Sequence, residues 1–155
     1  MIPSEVIPYI IIIITISSLL IAQITKFFIT SIVNKKIDEM VLFSTGGMPS
    51  SHSALVTSLT TAIGLFIQPI GVEFTIALVL ALVVVHDSFG IRYEASKHAR
   101  ELNQIKLRLN LIENIDVEEK KLKEALGHRP REVAAGILLG ILLAFMGYWI
   151  ALLIW

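Results

Sequence analysis

The sequence predicts an all-α integral membrane protein: a helical bundle of about four transmembrane helices with amphipathic helices on the cytoplasmic side. Three observations predict this class. The 155-residue chain is 55% hydrophobic and only 17% charged. Its apolar residues gather into four long segments, and all 13 Lys and Arg lie in two stretches, 26–36 and 92–131. Repeats and low-complexity linkers are absent from the sequence, so residues 1–155 are predicted to form one membrane domain.

The predicted spans cover about residues 6–25, 54–67, 72–89 and 132–155. A span needs roughly 20 apolar residues, so the second and third are short and we expect them to pack against the other two. A re-entrant third segment is an alternative. The first segment does not resemble a signal peptide, because no basic residue precedes it. The last ends in "GYWIALLIW", whose tryptophans suit a membrane interface.

The distribution of charge predicts the orientation. With four spans, the two basic stretches fall on one side of the membrane, which the positive-inside rule makes the cytoplasm. Both termini are then outside. The chain has no cysteine, which excludes disulfides, zinc–thiolate sites and thiol catalysis. The charge asymmetry and the lack of cysteine suit a bacterial inner membrane, and no basic–aromatic pattern indicates nucleic-acid binding.

The cytoplasmic insert, residues 92–131, is predicted to be helical. Its apolar residues recur every three or four positions, as on one face of an amphipathic helix: Ala95, His98, Leu102, Ile105, Leu109 and Ile112. This stripe would pack on the membrane surface, on the bundle or on a second copy, which makes a homodimer through residues 95–112 one expectation. Asp116 and Glu119 form a capping box that opens a second helix, ended by Gly127.

Two motifs fall at the cytoplasmic starts of the second and fourth spans. They are "STGGMPSSHSA", residues 44–54, and "LGHRPREVAAG", residues 126–136. Because the two spans run in the same direction, both present helix N-termini, which bind anions and phosphate especially. Pro49 and Pro130 suit first helical turns. The sequence therefore predicts a phosphate site that includes Ser50 and Ser51. A plain loop followed by a helix start is the alternative for each motif.

The spacing of His128 and Glu132 predicts a chemical pair. Four residues apart on a helix, the two side chains share a face. A carboxylate bonded to one imidazole nitrogen sets the tautomer and makes the other nitrogen a better nucleophile. His52 would then protonate a leaving oxygen as a general acid. Alternatively, Glu132 only caps the fourth span and His128 is a loop residue.

The segments "GGMPSSHSA", "HDSFGIR" and "LGHRPREVAAG" resemble the divergent branch of the type 2 phosphatidic acid phosphatases, relatives of acid phosphatases and vanadium haloperoxidases. The resemblance covers about residues 26–140. It implies a metal-independent phosphatase without a cofactor, acting through a phosphohistidine. On the matching positions His52 is the acid, His128 the nucleophile and Glu132 its partner. Ser51 stands where the main family has a glycine.

The main family's arginines are missing from their usual positions. Counted from Lys26, the first motif's Arg and Pro positions hold Val33 and Asn34, and the third motif's Ser–Arg pair falls at Lys121 and Leu122. Other cations must therefore bind the phosphate, although each candidate can also be read as a solvated charge. The candidates are Lys26, Arg92, Lys123 and Arg129.

His86 and Asp87 are an ionisable pair at the end of the third span, and such residues indicate function. Asp87 would orient Arg92 or a catalytic histidine, or would bind a cation with His86. Ordinary interfacial polarity is the alternative. We include Asp87 and Arg92 in the predicted site, because both belong to "HDSFGIR".

Two classes of function follow. One is an enzyme that removes phosphate from a phospholipid or another lipid phosphate in the cytoplasmic leaflet. The other is a non-catalytic membrane scaffold that binds phosphate or lipid headgroups. A third, minor alternative is a metal site formed by His52, Asp87, His128 and Glu132.

Overall fold

The computed structural model describes residues 2–35, 37, 41, 46–67, 69–113, 122 and 127–155, with the backbone alone for Arg92 and residues 110–113. Within these residues the chain forms five α-helices and no strand. They are α1 (Ile7–Asn34), α2 (Ser51–Phe66), α3 (Val72–Phe89), α4 (Ile91–Glu113) and α5 (Pro130–Ile154). The predicted all-helical membrane bundle is confirmed.

Among the described residues, three helical stretches are long and apolar enough to cross a membrane: Ile7–Asn34, Val72–Leu109 and Pro130–Ile154. The 16 residues of α2 extend about 24 Å at 1.5 Å per residue, short of the roughly 30 Å hydrocarbon core. A fourth complete span therefore stays a prediction. α1 continues past its predicted end at residue 25, because Lys26 lies on the buried face of the helix and does not terminate it.

The closest helix pair is α2 and α5, which run parallel. A Cβ atom on Gly136 would lie 2.3 Å from the Ser50 carbonyl oxygen, and one on Gly140 would lie 2.2 Å from Thr57 Oγ1. These two glycines form a G-x-x-x-G pattern, which lets helix backbones approach closely in membranes. At the far end, the rings of Phe66 and Tyr148 meet edge to face at 5.0 Å.

α1 runs antiparallel to this pair. Its Ile14 packs where a Cβ on Gly147 of α5 would stand, and its Ser18 hydroxyl donates to the Ala54 carbonyl of α2 at 3.1 Å. The small apolar core contains Ile11, Ile14, Ala62 and Ala144. Hydroxyl-to-carbonyl bonds and small residues thus join these helices, as expected where the hydrophobic effect does not drive association.

α3 runs antiparallel to α2 on the other side. The Thr60 hydroxyl donates to the Ala77 carbonyl at 3.1 Å. Near the end of α3, the Ser88 carbonyl accepts from the His128 N–H at 3.1 Å. Four chain segments therefore meet at one end of the bundle: the Lys26 end of α1, the starts of α2 and α5, and the end of α3.

α4 presents its polar face to this end of the bundle. Tyr93, Ser96 and Ala99 are buried or half-buried, whereas Leu102 and Ile105 of the predicted apolar stripe are exposed. The predicted alternative that the stripe packs on the bundle is therefore wrong for Leu102 and Ile105. On this side α4 faces the loop residues Gly46 and Gly47 and the start of α5 across a cavity, and the α4 residues that line it are polar.

Asn103 of α4 also holds a connecting segment. Its side-chain amide donates to the Leu122 carbonyl and accepts from the Leu122 N–H, both at 3.0 Å. The predicted capping box at Asp116 and Glu119 lies outside the described residues, as does most of the helix expected after it.

Candidate functional site

Backbone hydrogen bonds bring the three sequence motifs together. The Ser50 N–H donates to the Glu132 carbonyl at 3.0 Å, and the His128 N–H donates to the Ser88 carbonyl at 3.1 Å. Ser50 opens α2, Glu132 lies in the first turn of α5, and Ser88 lies in the last turn of α3. Residues far apart in sequence therefore share one small region.

The predicted pairing of His128 with Glu132 has a defined geometry. The Nδ1 atom of His128 lies 3.3 Å from Oε2 of Glu132, and the same oxygen accepts from the Arg129 N–H at 3.1 Å. An ionised carboxylate only accepts hydrogen bonds, so the hydrogen-bond network assigns the ring proton to Nδ1 and leaves a lone pair on Nε2. Glu132 thus caps α5 and orients the imidazole at once.

The surroundings of His128 on balance favour the neutral form of its ring. Burial lowers the pKa of His128 below its ordinary value of 6.5, because only 4% of the residue is exposed. Glu132 opposes this shift, while the charges of Lys26 and His52 add to it. Burial and the charge of Lys26 therefore favour the neutral form of the His128 imidazole.

Lys26 is fully buried at the end of the bundle. Its aliphatic stem runs under Gly47, where a Cβ would lie 3.1 Å from the Lys26 Cδ atom. Gly47 has φ +97°, a left-handed conformation that favours glycine. The Gly-Gly pair of the first motif therefore folds over the lysine, and a charged group at such a position in a membrane protein indicates function.

Ser50 and Ser51 lie in the contact between α2 and α5. Ser50 is the N-cap of α2, and its hydroxyl accepts from the Ser53 N–H at 3.4 Å and the Ser53 hydroxyl at 3.0 Å. Both serines are buried, whereas His52 is exposed. Pro130 occupies the first turn of α5 as expected, but Pro49 precedes the cap of α2 and is not in the helix.

The remaining predicted residues are distributed around this region. Asp87 and His86 line an open groove along α3 with Val83 and Phe89. The side chain of Arg92 and all of Lys123 lie outside the described residues.

The minor metal alternative gains no support from the arrangement of these side chains. In the part of the chain that the structure describes, no three His, Asp or Glu side chains are grouped as metal ligands would be.

A polar cavity of about 260 Å³ separates α4 from the start of α5. Its lining comprises three cations, one carboxylate and polar or small residues: Gly46, Gly47, Tyr93, Ser96, Lys97, Arg100, Gly127, Arg129 and Glu132. Arg129 and Glu132 were predicted, whereas Lys97 and Arg100 were missed. Their signal is the polar face of α4, on which residues 93, 96, 97 and 100 recur at helical spacing.

Comparisons with known proteins show the family of the chain. A profile described as the Divergent PAP2 family matches residues 9–143. The chain is 36% identical over 141 residues to "Uncharacterized membrane protein YuiD" of Bacillus subtilis (strain 168), a match that covers 85% of this chain and 89% of the relative. No solved structure matches.

Proposed function

The chain belongs to the Divergent PAP2 family, and from this premise we propose that it is a membrane-embedded phosphatase. It hydrolyses a phosphomonoester, a lipid phosphate, at the cytoplasmic face through a phosphohistidine intermediate. The observation that carries the proposal is the bond between His128 Nδ1 and Glu132, which leaves Nε2 as a neutral, oriented nucleophile.

The first half-reaction transfers the phosphoryl group to His128. Its Nε2 lone pair attacks phosphorus, the N–P bond forms, and the P–O bond to the alcohol breaks. His52 donates a proton to the leaving oxygen, so that the alcohol departs neutral. The ring gains positive charge in this step, and Glu132 stabilises that charge through the Nδ1–H hydrogen bond.

The second half-reaction restores the enzyme. Water attacks phosphorus, the N–P bond breaks, and its electron pair returns to Nε2. His52, now neutral, takes a proton from the attacking water, and inorganic phosphate leaves. Every proton and electron pair is supplied by the two histidines, the substrate and water.

The test is phosphate release by purified protein from phosphatidate, phosphatidylglycerophosphate and polyprenyl phosphate, with and without chelator. We expect His128→Asn to abolish turnover and His98→Asn, an exposed histidine on α4, to keep wild-type turnover. Acid-labile radioactive label on the wild type but not on His128→Asn would identify the intermediate. Wild-type activity in His128→Asn would overturn the mechanism.

One observation favours a second candidate, a non-catalytic protein that binds phosphate or lipid headgroups. His128 is 4% exposed and its N–H is bonded to Ser88, as in a residue that only joins helices. In that case no substrate of the panel releases phosphate, while His128→Asn lowers the melting temperature.

A further inference from the structure

The cavity beside Glu132 carries an excess of positive charge on side chains that the mechanism above does not use. Lys97, Arg100 and Arg129 line it together with the carboxylate of Glu132, and Lys97 is also paired with Glu94 of α4. Two of these cations belong to α4 and the third precedes α5. Three cationic side chains that converge on one small cavity from two segments of the chain give it a composition suited to an anion.

We propose that Lys97 and Arg100 of α4, together with Arg129, bind the phosphoryl oxygens of the phosphomonoester in this cavity. The inference rests on the proposed function for the identity of the substrate, although the binding itself needs no turnover. Arginine offers a planar pair of N–H donors that fits two phosphoryl oxygens, and lysine adds a point charge.

The position of Lys97 is constrained. Its Nζ atom lies 2.7 Å from Glu94 Oε1 and 4.6 Å from the centre of the Tyr93 ring. Tyr93 and Lys97 both line the cavity, so these contacts hold the Lys97 ammonium at the cavity wall. Binding of an anion then costs less side-chain conformational entropy.

Three glycines also line the cavity. Gly46, Gly47 and Gly127 have no side chains, which leaves room for an anion to approach the backbone. Glu132 also lines the cavity, and its carboxylate contacts His128. An anion held by α4 would therefore lie beside the carboxylate that orients the proposed nucleophile.

Binding is measured as the rise in melting temperature of the detergent-purified protein with tungstate or inorganic phosphate. We expect Lys97→Gln and Arg100→Gln each to weaken anion binding, raising the dissociation constant by roughly tenfold or more. This is the loss expected for a charge-assisted hydrogen bond. Arg100→Lys should restore part of the binding. Arg108→Gln is the matched control, because Arg108 is exposed on the same helix but does not line the cavity.

Two arms distinguish the source of the phosphate. The same titration is made with phosphatidate in detergent micelles and with phosphatidylcholine as the reference lipid. Loss of phosphatidate binding in Arg100→Gln, with phosphatidylcholine unaffected, would indicate a lipid phosphate, whereas a response to inorganic phosphate alone would indicate a free anion.

The inference fails if Lys97→Gln and Arg100→Gln keep wild-type anion affinity, or if Arg108→Gln loses as much. The proposed function fails separately. Anion binding that depends on Arg100 in a protein without phosphatase activity would retain the anion site and reject the enzyme.

Discussion

At the scale of single residues, the proposed chemistry depends on one carboxylate oxygen. Oε2 of Glu132 accepts from the Arg129 N–H and pairs with His128 Nδ1. The same contact that begins a helix therefore sets the tautomer of a histidine. Around His128, burial and neighbouring positive charge favour the neutral imidazole, whereas Glu132 favours the charged form.

This balance predicts opposite pH shifts in two variants. In the proposed mechanism the nucleophile is neutral His128, so activity should fall as the pH drops through the pKa of His128, below 6.5. Glu132→Gln removes the group that raises this pKa, and the acid limb of kcat/KM should move to lower pH. Lys26→Met removes a charge that lowers it, and the limb should move to higher pH. Shifts in the same direction, or no shifts, would contradict this account of the site.

The same shift makes a prediction about stability. Below pH 6.5 the unfolded chain takes up a proton at His128 before the folded protein does, so stability should fall as the solution is acidified through that window. His128→Asn should lack this component. The measurement is the melting temperature of both proteins between pH 7.5 and about pH 5, the range in which histidine titrates.

At the scale of elements, the contact of α2 with α5 determines where the motifs meet. Gly136 and Gly140 allow the α5 backbone to touch α2, and the Ser50 N–H donates to the Glu132 carbonyl at the start of that contact. Separation of the two helices would move Ser50 and His52 away from His128. The close packing of Gly136 and Gly140 against α2 is therefore also needed to place His52, the proposed acid, relative to His128.

Gly140→Ala should be strongly destabilising. The added Cβ would lie 2.2 Å from Thr57 Oγ1 and 2.5 Å from the Ala54 carbonyl oxygen, a backbone atom that cannot rotate away. Overpacking of this kind typically costs about 1–3 kcal/mol. Gly64→Ala is the control, because its Cβ would lie 3.3 Å from the Phe74 ring, which can shift slightly. Equal melting temperatures of the two variants in detergent would contradict the predicted difference.

α4 leaves Leu102, Ile105 and Leu109 of its apolar stripe exposed, and the homodimer through residues 95–112 stays a prediction. If a second copy covers the stripe, Ile105→Glu should dissociate a dimer seen by chemical cross-linking in membranes, since Ile105 is half exposed. Arg108→Gln should leave the dimer intact. Monomeric wild-type protein would reject this partner.

At the scale of the whole molecule, the four segments that form the site lie at one end of the bundle. The distribution of basic residues along the sequence likewise predicts that they fall on one side of the membrane. The described structure shows the common end, and the positive-inside rule predicts that it faces the cytoplasm. Sidedness decides which leaflet supplies a lipid substrate.

Cysteine labelling tests this topology. In cells, Glu5→Cys and Glu73→Cys, at the opposite end of the bundle, should react with impermeant maleimide, while Glu101→Cys on α4 should react only in inverted vesicles. All three residues are exposed. Labelling of Glu101→Cys in intact cells would place the site outside, and a mixed result for Glu5 and Glu73 would show that α2 does not cross.

The sequence by itself determined the membrane-protein class, the helical nature of the described segments and the pairing of His128 with Glu132, because composition, periodicity and a four-residue spacing are local properties. Only the tertiary structure decided which cations surround the site. Lys97 and Arg100 lie on the polar face of α4, which the sequence alone would assign to the solvent. They line a cavity because α4 turns that face toward the bundle. The structure likewise buried Ser50 and Lys26, since helix contacts between distant segments, and not the residues' own polarity, set their exposure.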